Sequence, residues 1–230
     1  AAVGLSHISY RYAGSSTDII NGLSLSIRKG EFVALCGENG TGKSTLAMLM
    51  CALEKPQSGS VAIDGMDAFA RKNRIKVRSH IGYVMQHPEN QLFADTVADD
   101  IAYGPACLGL PSDEADRRVD EMLKLVGIEH LRQRSPWDLS GGERRLAAIA
   151  GILANKPDII VLDEPTVGLD THAREHILSI LRKLHKEGAT IVIITHSLHV
   201  AAGNAERVVL LHPGTGPGHS TDTDRGTTDT

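Results

Sequence analysis

Leu23, Leu25 and Ile27 alternate with Ser24, Ser26 and Arg28, the period of two that predicts a half-buried strand. Val33-Ala34-Leu35-Cys36, Ile159-Ile160-Val161-Leu162 and Ile191-Val192-Ile193-Ile194 are unbroken apolar runs. Their length suits strands covered on both faces. The period then changes. A helix is expected from Lys43 through Leu46, Leu49, Met50 and Leu53, and another over Ala173 to Lys186 with Ile177, Ile180, Leu181 and Leu184 on one face. Between Cys36 and Lys43 lies a glycine-rich loop, so strand, loop and helix follow one another as the first half of an α/β unit. From about Thr96 to Leu153 the pattern is helical, including Ser112 to Val126 bounded by Gly127. That stretch reads as a helical insertion in an α/β body.

Beyond Pro213 the chain offers Gly, Thr, Ser, Asp and Pro with no large apolar side chain, so residues 213–230 are expected to form a polar, disordered tail. Charge is nearly balanced, 24 Lys+Arg against 28 Asp+Glu, a net of −4, and aromatics are 3%. Both figures count against a protein whose task is to hold nucleic acid. No apolar run approaches the roughly 20 residues of a spanning helix. The amino-terminal residues Ala1 to His7 lack the basic and apolar regions of a secretion signal, and Cys36, Cys51 and Cys107 are odd in number and widely spaced. A soluble intracellular unit with reduced thiols is the expectation. His172 and His176 sit at i, i+4 on a helix, but no third metal ligand accompanies them and a solvated face is the simpler reading.

Three motifs carry chemistry. Gly37-Glu38-Asn39-Gly40-Thr41-Gly42-Lys43-Ser44 fits the phosphate-binding loop in full. Its glycines let backbone N–H groups converge on phosphate oxygens at a helix N-terminus, Lys43 reaches the β/γ phosphates, and the Ser44 hydroxyl can ligate Mg²⁺. The run Ile159 to Leu162 ends in Asp163-Glu164. An acid at such a strand tip can hold Mg²⁺, and its neighbour can deprotonate or orient a water for in-line attack. In Leu139-Ser140-Gly141-Gly142-Glu143, Ser140 is a good N-cap for the following helix, which gives the chain a second anion-binding helix terminus.

Together, and in this order, the motifs resemble those of the ATP-binding cassette ATPases over about Leu5 to Leu211. The resemblance implies a RecA-like P-loop core with an antiparallel β subdomain, about 1–86 and 157–212, and a helical subdomain at about 87–156. It implies ATP and Mg²⁺ as cofactors and ATP hydrolysis as the activity. By the family's pattern Tyr12 is similar to the aromatic that stacks on adenine, with Tyr10 on the same strand face the weaker candidate. ATP would also be held by Asn39, Gly40, Thr41, Gly42, Lys43, Ser44 and Thr45. Gln86 resembles the glutamine that senses Mg²⁺ and the attacking water, and His196 resembles the switch histidine on the γ-phosphate. Glu164, His196 and Gln86 would be catalytic, and Ser44, Gln86 and Asp163 would hold Mg²⁺. The resemblance further implies a head-to-tail dimer of two cassette chains. Ser140, Gly141, Gly142 and Glu143 would then meet the partner's nucleotide, and Asp170 of Gly168-Leu169-Asp170 would cross the interface.

Gln86 to Phe93 and Thr96 to Pro105 are similar to the energy-coupling-factor and cobalt–nickel uptake ATPases. This implies a peripheral subunit on the inner face of the cell membrane. It would energise a vitamin or metal-ion importer together with a transmembrane coupling protein and a substrate-binding membrane protein. Glu89, Asp99 and Asp100 would offer carboxylates to arginines of the coupling helices, although an acidic helix start explains the last two equally well. A soluble cassette ATPase acting on DNA or ribosomes is the alternative. One departure stands out: Leu146 replaces the basic residue usual three positions after Glu143.

Overall fold

The structure is a computed structural model that describes residues 1–212 and 221–224. Three of the apolar runs become neighbouring parallel strands: β3 (Phe32–Gly37), β7 (Ile159–Asp163) and β8 (Thr190–Ile194). Joined by β6 (Ile81–Val84), β9 (Arg207–Leu211) and β10 (Thr221–Asp224), they form a six-stranded sheet of order β10-β9-β3-β8-β7-β6. β10 is antiparallel to β9 and the other pairings are parallel. Alternation across the pleat divides the sheet between two cores. Phe32, Ala34, Cys36, Ile160, Leu162, Ile191 and Ile193 face one, and Val33, Leu35, Ile159, Val161, Val192 and Ile194 face the other.

The second core is closed by α1 (Lys43–Met50) and by a four-stranded antiparallel sheet of order β2-β1-β4-β5. That sheet contains β1 (Val3–Tyr10), β2 (Ile20–Ile27), β4 (Ser58–Ile63) and β5 (Met66–Asp67). In β2 the alternation of Leu23, Leu25 and Ile27 becomes a buried face beside exposed Ser24 and Ser26. The first core packs on α3 (Val97–Cys107), α4 (Ser112–Val126), α5 (Gly141–Leu153) and α6 (Thr171–Lys186). Two further short helices are α2 (Arg74–His80) and α7 (Leu198–Asn204).

Three expectations change. α1 stops at Met50, because Ala52 turns the chain with φ 54°, so Leu53 lies beyond the helix. Tyr12 lies outside β1, which ends at Tyr10, so the two tyrosines do not share a strand face. Four residues of the polar tail, Thr221–Asp224, add a strand to the sheet through backbone bonds that need no apolar side chain; the rest of the expected tail lies outside the described residues. Leu146 is half-buried and packs against the helical-side core, which is why an apolar residue suits that position.

Gly59 marks a tight crossing between β4 and β1, where the register shifts between Ser6 and Ser9. Its φ is +84°, and a Cβ there would stand 2.4 Å from the Ser6 carbonyl oxygen and 2.5 Å from that of His7. Gly59→Ala is therefore expected to lower stability by about 1–3 kcal/mol, read as a shift of the urea midpoint. An unchanged midpoint would show that the crossing can relax.

Candidate active site

The register of the parallel sheet sets the site. Leu35 and Asp163 both stand opposite Ile194, so the carboxyl ends of β3, β7 and β8 lie along one edge, with β3 running on to Gly37. Ligands of open α/β sheets bind at that edge. A cavity of about 870 Å³ opens there, lined by Tyr12, Lys43, Ser44, Gln86, Asp163, Glu164 and His196 among others.

The loop from Gly37 to Lys43 is held open by backbone geometry. Gly40 and Gly42 take φ values of 83° and 86°, and a Cβ on Gly42 would press within 3.2 Å of Ile19. The Lys43 ammonium, on a buried side chain, donates to the carbonyls of Gly37 (2.9 Å) and Glu38 (2.6 Å), which suspends one positive charge across the loop. Thr41 is buried and donates to the Glu38 carbonyl at 2.9 Å, so it braces the loop rather than lining the cavity. Asn39, Gly40, Gly42, Ser44 and Thr45 do line it. Tyr12 is 44% exposed, and its hydroxyl bonds Thr45 Oγ1 at 2.8 Å. Tyr10 is buried, with its hydroxyl donating to Glu54 at 3.0 Å, so only Tyr12 presents an open ring to the cavity.

Asp163 is buried at the tip of β7, and burial pushes its carboxyl above the ordinary aspartate range, opposed by a hydrogen bond from Ser44. The Tyr83 hydroxyl lies 3.5 Å from the same carboxylate. Ser44, Asp163 and Gln86 are hard oxygen donors gathered at one cavity wall, the chemistry Mg²⁺ selects. A buried acid beside the phosphate loop fits such a cation, whose charge would offset the cost of burial.

Glu164 adopts φ 48°, a strained backbone for a non-glycine residue, and its amide is fixed to the Ile194 carbonyl at 2.9 Å. One carboxylate oxygen, Oε1, is 2.7 Å from His196 Nδ1 and accepts the His196 backbone N–H at 2.9 Å. The other, Oε2, is buried without a hydrogen-bond partner in the protein. Glu164 lines the cavity, and its orphaned carboxylate oxygen is an unmet acceptor. Sequence reasoning named Glu164 and His196 separately; their direct pairing comes from β7 and β8 lying side by side.

The second candidate anion site lies elsewhere. Ser140 caps α5 through a full capping box: its backbone N–H and its hydroxyl both donate to Glu143 (2.8 and 2.7 Å), and the Glu143 N–H donates to Ser140 Oγ (3.4 Å). Those hydroxyl and backbone bonds hold the Glu143 carboxyl below its usual range. Gly141 and Gly142 have open space where side chains would stand. None of Ser140 to Glu143 lines the phosphate-loop cavity. Asp170 is exposed and caps α6, accepting from the Ala173 N–H at 2.8 Å. His176 bonds the Val126 carbonyl at 2.9 Å, which gives that histidine a structural partner.

Arg145 is the residue sequence reasoning missed. Buried on α5, its guanidinium donates to the backbone carbonyls of Val167 (2.7 Å) and Gln86 (3.0 Å), and it pairs with Glu89 at 3.5 Å. It thus joins the helix that begins at Ser140 to the segments that follow β6 and β7. The signal was present: Arg145, Ala148 and Ile149 follow the i, i+3, i+4 spacing of one buried stripe. The carboxylates proposed for a membrane partner also change. Asp100 is buried, and its two oxygens accept the N–H groups of Phe93 and Ala94 at 3.1 Å each, so it serves the fold and is not offered outward. Glu89 is held by Arg145 and His87, whereas Asp99 is exposed.

A loop that cradles phosphate at the sheet edge, with an acid-tipped neighbouring strand, defines a P-loop nucleoside triphosphatase. The inserted helices and the Ser140 cap narrow the class. Residues 20–167 match the family described as ABC transporter, and the chain belongs to it. It is 44% identical to the energy-coupling factor transporter ATP-binding protein EcfA of Methanothermobacter thermautotrophicus, over 92% of this chain and 68% of that one. CbiO1 of Clostridium perfringens, part of the ABC transporter complex CbiONQ, superposes with a TM-score of 0.82 at 37% identity, covering 91% of this chain and 84% of its own. A dimeric ATP-binding cassette in a post-hydrolysis state with ADP and Pi superposes at 0.86, with 31% identity and coverage of 98% and 100%. Among curated relatives the chain spans from 28% of one to 75% of another.

Arg145→Ala would strand buried carbonyls and the Glu89 carboxylate, so it should cost about 2–4 kcal/mol in denaturation and lower ATP turnover as well. Arg145→Lys keeps the charge but loses the planar fork, so stability should recover more than turnover does. Full turnover in the alanine variant would dismiss the strut.

Proposed function

We propose that this chain is the ATP-binding and ATP-hydrolysing subunit of an energy-coupling-factor type importer for vitamins or metal ions, working by ATP-driven dimer closure at the inner face of the membrane. The carrying observation is the convergence of Lys43, Asp163, the Glu164–His196 pair and Gln86 on one cavity, with the capped helix at Ser140 held away from it. One chain therefore bears two anion-binding helix ends that a single nucleotide in that cavity does not join. A second copy, head to tail, would supply its Ser140 to Gly142 to the nucleotide of the first. The dimeric relative with ADP and Pi supports that arrangement. The names of the EcfA and CbiO1 relatives support the transporter class. Among the described residues no helix is long and apolar enough to cross a membrane, so in this reading other chains supply the spanning part.

In the proposed cycle Tyr12 stacks on the base, while loop N–H groups and Lys43 hold the β and γ phosphates. Bound by Ser44, Asp163 and Gln86, Mg²⁺ would neutralise phosphate charge. Glu164 Oε2 accepts the proton of the attacking water, and His196, donating to Oε1, fixes the carboxylate's orientation and reaches the γ-phosphate. Because only the ATP-loaded state favours the closed dimer, turnover reopens it. Asp170 is assigned to the interface. For the membrane partner, Asp99 remains as an exposed carboxylate, and the exposed aromatic pair Phe93 and Tyr103, 4.8 Å apart edge to face, borders a cavity of about 300 Å³ that a helix of the coupling protein would enter.

Glu164→Gln should retain ATP binding and lose turnover by about 100-fold or more, collecting as an ATP-loaded dimer on size exclusion. Unimpaired turnover would remove the general-base role. Asp99→Arg should weaken co-purification with the membrane partner and leave ATP binding by the isolated chain unchanged; equal recovery would strike out that contact.

A further inference from the structure

Away from the nucleotide cavity, a cleft of about 320 Å³ lies between the end of α1 and α2, ringed by Lys55, Arg71, Arg74 and Arg78 over an apolar floor that includes Phe69 and Val77. Five of the eight residues from Arg71 to Arg78 are cationic, and no Asp or Glu occurs between Asp67 and Glu89, in a chain whose net charge is −4. Elsewhere several surface cations find carboxylates, as Lys29 does with Asp64 and Lys156 with Glu121 (2.7 Å), and no other stretch of eight residues in the chain carries five of them. Among the described residues Lys55, Arg71, Lys72, Arg74, Lys76 and Arg78 enter no ion pair. The flanking acids are otherwise engaged: Glu54 accepts from the Tyr10 hydroxyl at 3.0 Å, and Asp67 from the Phe69 N–H at 2.9 Å.

Folding also leaves two aliphatic side chains in water here. Ile75, at 80%, is the most exposed large hydrophobic residue described, and Leu53 on the cleft wall is exposed at 54%. Unpaired cations with exposed aliphatics among them suit the interface of an anionic bilayer, which rewards both. A nucleic-acid backbone rewards the cations alone.

We propose that this face docks on anionic lipid headgroups, one headgroup phosphate being taken between Arg71, Arg74 and Arg78 while Ile75 and Leu53 enter the lipid interface. The contact is with lipid itself, so it goes beyond the transporter reading and does not depend on any protein partner.

Flotation of the full chain with vesicles of about one-third phosphatidylglycerol in phosphatidylcholine tests it at low salt. Binding is expected to those vesicles, to fall with added salt, and to be lost in pure phosphatidylcholine. Each surface cation contributes about fivefold, so Arg71→Gln, Arg74→Gln and Arg78→Gln together should weaken partitioning about 100-fold. Ile75→Ser should weaken it about tenfold and leave the salt dependence in place. Basal ATP turnover should be unchanged in both variants. Equal binding to uncharged vesicles, or no effect of the triple substitution, would overturn the proposal. So would release by inorganic phosphate well beyond that caused by chloride of equal ionic strength, which marks a soluble-phosphate pocket. Tighter retention of duplex DNA, lost in the same triple variant, would assign the face to nucleic acid instead. A chain that hydrolyses ATP but ignores anionic vesicles defeats the lipid contact alone. One that binds vesicles without turnover defeats the ATPase reading alone.

Discussion

The pairing register of the parallel sheet is the constraint on which the chemistry depends. Leu35 and Asp163 share Ile194 as a neighbour, so the loop after β3, the acids at the end of β7 and the histidine after β8 leave the sheet along one edge. Shifting any one of those strands by a single residue would exchange the side chains it presents to the two cores and move its tip along the edge. The two cores enforce the register from both sides, because every position of β7 and β8 is buried. Packing energy thus fixes the geometry of that edge.

That edge holds charges in environments that favour ligand over water. Asp163 is buried and displaced toward its neutral form, and Glu164 keeps one oxygen tied to His196 and the other without a protein partner. The strained φ of Glu164 is held by its amide bond to Ile194, so the backbone of β8 sets the orientation of the acid on β7. The orientation of the acid is therefore fixed by the protein's own backbone.

Arg145 extends the same logic to the inserted helices. Its buried fork touches segments after β6 and after β7 from the helix that Ser140 caps. A movement of α5 would therefore be felt at the Gln86 and Val167 carbonyls. The same side chain therefore ties the helix capped by Ser140 to the segment that carries Gln86 to the cavity. Leu146 needs no charge beside it, because its place is against the core.

The sequence by itself determined part of the elements and the chemistry that depends on local spacing. The buried strands, the half-buried β2, the extent of α4, the phosphate loop, the acid pair and the Ser140 cap are all functions of neighbouring residues. A period of two or of 3.6 and a fixed motif spacing survive in a one-dimensional string. Tertiary structure decided whatever depends on residues distant in sequence. Tyr12 rather than Tyr10 faces the cavity because β1 ends between them and buries the latter. Asp100 turns inward because the Phe93 and Ala94 amides need an acceptor, a demand visible only once the chain has folded back on itself. The Glu164–His196 contact, the Arg145 strut and the strand at Thr221–Asp224 likewise come from strand order and helix docking, which leave no trace in local periodicity.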